Sequence, residues 1–142
     1  MLLDSVKALS AFDKVKRIDL PKILDNRGNL SFFQSEDHVP FEIKRVHWIY
    51  DVPGGEQRGG HAYRNIQEFI VALSGSFDIV LNDGINEKRI ALNRSYYGIY
   101  IPKMTWRHLD NFSTNSLAFI ASDNFYTEEE YIRDFEVYKT LK

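Results

Sequence analysis

The 142-residue chain has no cysteine, so disulfide staples and thiolate metal centres are excluded, and a reducing, cytoplasmic setting is expected. It has no apolar run near the roughly 18 residues needed to span a bilayer, so no membrane partner is expected. The opening MLLDSVKALSAF carries Asp4 and Lys7 inside what would have to be an unbroken apolar stretch, and it does not read as a signal peptide. Charge of one sign is also lacking. A formal net charge of −2 gives no global attraction for nucleic acid, and none is expected as a partner. No glycine-rich phosphate loop, Ser-His-Asp arrangement or CxxC is present, which leaves nucleophilic catalysis without a candidate. Repeats, low-complexity tracts and linkers are missing too, and the length fits one domain over residues 1–142.

What remains is a succession of short β-branched and aromatic runs. Strands are predicted at Asn29–Phe33, Ile43–Val52, Glu68–Ser74, Ser76–Leu81, Lys88–Leu92, Tyr96–Ile101, Trp106–Asn111 and Leu117–Ser122. Turn residues separate them, and Asp83-Gly84 is the sharpest hairpin signal because a tight turn between twisted strands needs positive φ. KRVHWIY places large groups on both faces, as in a strand buried on both sides. Only the C-terminus reads as helix: Thr127 with Glu130 forms a capping-box pattern, and Tyr131, Phe135 and Tyr138 recur at helical spacing. Many short strands at regular intervals predict an all-β jelly-roll barrel with a C-terminal α-helix. The mouth of such a barrel is where a small ligand binds.

The stretch RGGHAYRNIQEF (58–69) resembles the metal-binding frame of the cupins. Gly55, His61, Glu68 and Gly75 fall in register, but Tyr63 stands where a second histidine ligand belongs. Arg107 stands where a last histidine would, and a guanidinium has no lone pair to offer a metal. His108 is one residue away and points to the opposite face of its strand. With two of four ligands lost, no metal is expected. His38, His47 and His108 lack suggestive neighbours and are assigned structural roles. His61 follows Gly59-Gly60, and alternation puts it on the same face as Tyr63, where a base and an acid side by side could move protons. Tyr63 could equally be interior packing. Arg45 and Arg107 lie inside aromatic strands, where an unpaired charge is costly, so a buried anionic ligand is expected there.

The segments PFEIKRVHWIYDV, RGGHAYRNIQEFIVALSGSFDIVLNDG, LNRSYYGIYIPKMTWRHLDNFS and ASDNFYTEEEYIRDFEVY resemble, in order from about Asp19 to Tyr138, the dTDP-sugar 3,4-ketoisomerase family of cupins. The resemblance implies a homodimeric barrel without metal or other cofactor. It implies conversion of a dTDP-4-keto-6-deoxyhexose to its 3-keto isomer through an enediol(ate), upstream of 3-amino sugars for surface polysaccharide. It further implies His61 as the proton-abstracting base, Arg45 and Arg58 near the nucleotide's phosphates, and Arg27 and Arg107 lining the sugar pocket. Family members carry His-Ala-His where this chain has His-Ala-Tyr, and the role of Tyr63 as proton donor or oxyanion partner stays open. A His/Tyr pair is also similar to that of the related 3,5-epimerases. Three readings therefore stand: ketoisomerase, epimerase, or a nucleotide-sugar-binding protein without catalysis.

Overall fold

The computed structural model describes residues 12–142, so the N-terminal stretch read against a signal peptide lies outside the described residues. Strands β1 (Lys16–Asp19), β2 (Lys22–Ile23) and β3 (Leu30–Ser31) lead into β4 (Arg45–Tyr50), β5 (Arg58–Tyr63) and β6 (Glu68–Ser74). They are followed by β7 (Phe77–Asn82), β8 (Glu87–Leu92), β9 (Tyr97–Ile101), β10 (Trp106–Asp110) and β11 (Leu117–Ser122). A 3-10 turn at Glu128–Glu130, a short strand β12 (Tyr131–Ile132) and helix α1 (Phe135–Leu141) close the chain. Two five-stranded antiparallel sheets, ordered β1-β9-β6-β11-β4 and β12-β5-β10-β7-β8, form the two walls of the barrel. Strands β2 and β3 make a separate hairpin. No helix among the described residues is long and apolar enough to cross a membrane.

Alternation decides what fills the barrel. Inward residues of the two sheets, among them Ile70, Ile79, Leu81, Ile99, Leu109 and Ile120, form one buried cluster at its closed end. A second cluster on the outer face of the first sheet joins Phe69 and Val71 to Leu20, Val39 and Phe41. The Asp83-Gly84 turn forms as the spacing predicts. Gly84 has φ +95°, and Asp83 Oδ1 accepts from the amides of Ile85 and Asn86.

Two expectations are corrected. The Thr127 pattern caps no long helix: its side chain makes no capping bond, and Tyr131 enters β12, paired with Tyr63 of β5. The helix starts later, with Asp134 Oδ1 accepting from Glu136 and Val137 amides, and it packs Phe135 and Tyr138 against Trp106. The strand KRVHWIY is buried on one side only within the single chain. It lies at the edge of its sheet, with Val46, Trp48 (53%) and Tyr50 (61%) exposed.

Candidate active site

The polar residues of the barrel gather at one end of the inward rows. Register aligns Ile101, Glu68, Ser122 and Arg45 across the first sheet, with Ile99, Ile70, Ile120 and His47 as the next row down. On the facing sheet Arg107 pairs with His61. Arg107 links the two walls. Its Nε donates to one Glu68 oxygen at 2.6 Å and its Nη2 to the other at 2.9 Å, with both side chains 2% exposed. Burial alone would lower the Arg107 pKa, but the Glu68 carboxylate raises it above its ordinary value. The remaining nitrogen, Nη1, donates to the Gly59 carbonyl at 3.1 Å. Gly59 permits this approach: it has φ +71°, and a Cβ there would run into the guanidinium.

His61 is 6% exposed, and its ring meets those of Tyr63 and Tyr131 edge-on, at centroid distances of 4.7 and 4.9 Å. Burial first, and then the positive charge of Arg107, Arg133 and Arg45, lowers its pKa to about 2, so the imidazole is neutral. The Tyr63 hydroxyl donates to that of Tyr131 at 3.3 Å, and Arg45 Nη1 reaches the same oxygen at 3.5 Å. Burial raises the Tyr63 pKa, and the Glu68 charge adds to it, so the phenol stays protonated.

Three buried polar atoms in this region have no hydrogen-bond partner among the described residues: His61 Nε2, His47 Nδ1 and Ser122 Oγ. Unpaired buried polar atoms are costly and few in a native fold. All three lie at the polar end of the barrel that holds the Arg107–Glu68 pair.

Of the residues singled out from sequence, the fold brings His61, Tyr63, Arg45 and Arg107 together. Arg58 is exposed at the start of β5, paired with Leu109 and away from the mouth. Arg27 stands apart on the β2–β3 hairpin, its side chain 90% exposed and paired with Asp25. The case for an external anion at Arg107 is corrected, since Glu68 is the anion that its burial demands. His108 does point outward, to Asp110 at 3.1 Å, and His38 accepts from the Gln34 amide. His47, assigned a structural role, faces the mouth, and its parity with Arg45, two residues earlier on the same face, is the signal for that placement. Tyr131 had no such signal, because it read as part of a helix.

Among the described residues no group of His, Asp and Glu is arranged to hold a metal ion. The Glu68 oxygens are both engaged by Arg107, so a cation would have to displace a guanidinium.

A family model described as "WxcM-like, C-terminal" (FdtA) matches residues 13–142. The chain is 34% identical over 124 residues to the TDP-4-oxo-6-deoxy-alpha-D-glucose-3,4-oxoisomerase of Aneurinibacillus thermoaerophilus, covering 87% of this chain and 89% of that one. A TDP-quinovose 3,4-ketoisomerase from Campylobacter jejuni superposes with TM-score 0.85 at 40% identity, over 90% of this chain and 98% of that one. The sugar 3,4-ketoisomerase of Thermoanaerobacterium thermosaccharolyticum, solved in complex with TDP, gives TM-score 0.89 at 30% identity, over 91% and 94% of the respective chains.

Proposed function

The chain belongs to the WxcM-like, C-terminal (FdtA) family, and from that premise we propose that it is a dTDP-sugar 3,4-ketoisomerase, moving the carbonyl of a dTDP-4-keto-6-deoxyhexose from C4 to C3. The observation that carries the site assignment is the unpartnered Nε2 of a buried, neutral His61 beside Arg107 and two tyrosine hydroxyls.

His61 takes the C3 proton, the C–H electron pair forms the C3–C4 double bond, and the carbonyl pair moves onto O4. An imidazole with its pKa near 2 is always deprotonated at cellular pH but is a weak base in the empty site. The enediolate supplies the opposing charge: negative oxygen beside the ring offsets the cations that depress it. Two Arg107 N–H groups are uncommitted to Glu68 or Gly59 and suit that oxyanion. Tyr131 accepts from Tyr63 and Arg45 and so keeps its own O–H for the ligand, which makes Tyr63 the oxyanion partner acting through Tyr131. Arg45 in the mouth and Arg58 at the start of β5 hold the diphosphate.

The protein works as a homodimer in the cytoplasm. Trp48 and Tyr50 on β4 are exposed, as are the apolar Ile23, Leu24 and Leu30 of the β2–β3 hairpin. A second copy covering the β4 face would bury that strand on both sides.

The experiment is incubation with dTDP-4-keto-6-deoxyglucose in D2O, with NMR of the recovered sugar. A 3-keto product with solvent deuterium on the ring is expected, and His61→Asn should abolish it while keeping dTDP affinity. Exchange at C3 and C5 with an L-sugar product would make the protein an epimerase. Binding of dTDP without any exchange would reduce it to a binding module.

A further inference from the structure

The arginines of the mouth are not all held alike. Arg107 is locked to Glu68 with both side chains 2% exposed, and opening that buried pair would strand a charge. Arg133 also belongs to the mouth. Its Cζ lies 4.2 Å from the centre of the Tyr131 ring, which is itself 4.9 Å from that of His61. After burial and Arg107, its charge is the next to lower the His61 pKa, ahead of Arg45. Arg133 is paired at the surface: its Nε donates to Glu128 Oε1 at 2.7 Å and its Nη2 to Oε2 at 3.2 Å, with side chains 55% and 59% exposed. A half-exposed pair of this kind is weak and readily exchanged.

Glu128 is carried on a strap, residues 123–130, fastened at both ends to the connection between β5 and β6. Asp123 accepts from the Gln67 amide and side chain at 2.9 and 2.8 Å, and Glu130 accepts from those of Asn65 at 2.8 and 3.2 Å. Between these anchors, and among the described residues, the only side-chain hydrogen bonds that leave the strap are the two from Arg133 to Glu128. Tyr126 of the strap donates to Glu128 Oε2, and the Arg45 guanidinium lies 5.2 Å over its ring. Arg133 first, and then Tyr126, lower the Glu128 pKa to about 2, so the carboxylate is charged at any working pH. A permanent negative charge beside the mouth opposes entry of a diphosphate.

We propose that Glu128 is a built-in competitor for the ligand: it occupies Arg133 in the empty site, and the diphosphate of the nucleotide sugar displaces it to take the guanidinium. This rests on the reading of the mouth as a dTDP-sugar site. A diphosphate carries more charge than a carboxylate and matches the same two-pronged donor geometry, so it wins the exchange. The ion pair closes again as the nucleotide leaves. Glu128 thereby weakens binding of substrate and product alike and keeps the product from being retained.

The test is calorimetric titration of dTDP, and separately of thymidine, into the wild type and Glu128→Gln. The variant keeps the shape of residue 128 and its contact with Tyr126 but removes the charge. It should bind dTDP about two- to fivefold tighter, the range of an exposed ion pair, and thymidine, which has no phosphate, no tighter. In 15N NMR the Arg133 Nε–H signal, assigned by its loss in Arg133→Lys, should move when dTDP is added to the wild type and stay in place with thymidine. Equal or weaker binding of dTDP by Glu128→Gln would overturn the proposal, because altering a residue that only shapes the strap leaves affinity alone or lowers it. An equal gain for thymidine would overturn it too, as would an Arg133 signal indifferent to dTDP. A folded wild type that does not bind dTDP would remove the dTDP-sugar reading itself, a result separate from any variant's behaviour.

Discussion

Arg107 grips both carboxylate oxygens of Glu68 across the barrel, and a backbone carbonyl of a third strand takes its remaining nitrogen. A buried pair of this kind adds little net stability over a well-packed apolar pair, but removing one partner strands the other charge. Glu68→Ala should destabilise the fold by about 3–5 kcal/mol in urea titration. Because the same pair engages the would-be metal ligand, chelator treatment should leave turnover unchanged; activity lost on chelation and restored by a divalent ion would contradict that.

Gly59 holds the Arg107 contact open. Gly59→Ala places a side chain at φ +71° and against the guanidinium, with a backbone cost of order 1–3 kcal/mol. The expected outcome is lower stability together with a fall in kcat, because Arg107 must move. Unchanged kcat in a folded variant would separate Arg107 from the chemistry.

Stability should depend on pH through the two buried histidines. Each has a folded pKa, about 2 for His61 and about 4 for His47, below the unfolded value near ~6.5. The unfolded chain therefore binds more protons in this window, and unfolding free energy rises with pH. Their stabilising contribution is complete above the unfolded pKa and is lost as pH falls through 6.5 toward 4 and then 2. Melting temperature should drop between pH 7 and 5, where Asp25 and Glu128, both lowered to about 2, are still ionised. His61→Asn should flatten this drop; an equal drop in the variant would assign it to other groups.

Tyr63 and Tyr131 should differ in rank. Tyr131→Phe removes the hydroxyl that faces the ligand and should lower kcat by about 10², the effect of losing one oxyanion donor. Tyr63→Phe removes the hydrogen bond behind it, worth about 1 kcal/mol, or roughly fivefold. Steady-state kinetics with the dTDP-sugar gives the order, and a larger loss at Tyr63 would make Tyr63 the direct donor.

The bare face of β4 predicts self-association. Light scattering at micromolar concentration should give twice the 16.6 kDa chain mass. Trp48→Lys, on the exposed face, should shift the protein toward monomer. A wild-type monomer would remove the dimer.

The sequence by itself determined the β-class, most strand positions, the Asp83-Gly84 turn and the shared face of His61 and Tyr63. These follow from the two-residue period of a strand and from local turn chemistry, which act over a few residues. Strands β1 and β12 had no comparable pattern: β12 is two residues long and exists because β5 offers it a partner. That pairing overrode the helical spacing of Tyr131 and carried its ring to His61. Only the tertiary structure could join Glu68 to Arg107, 39 positions apart, or set β4 opposite β5. Alternation says which residues share a face, but not which face is closed or what stands across from it. His47 and Arg45 are alike in parity, and only the closure of the barrel sets both at its polar end.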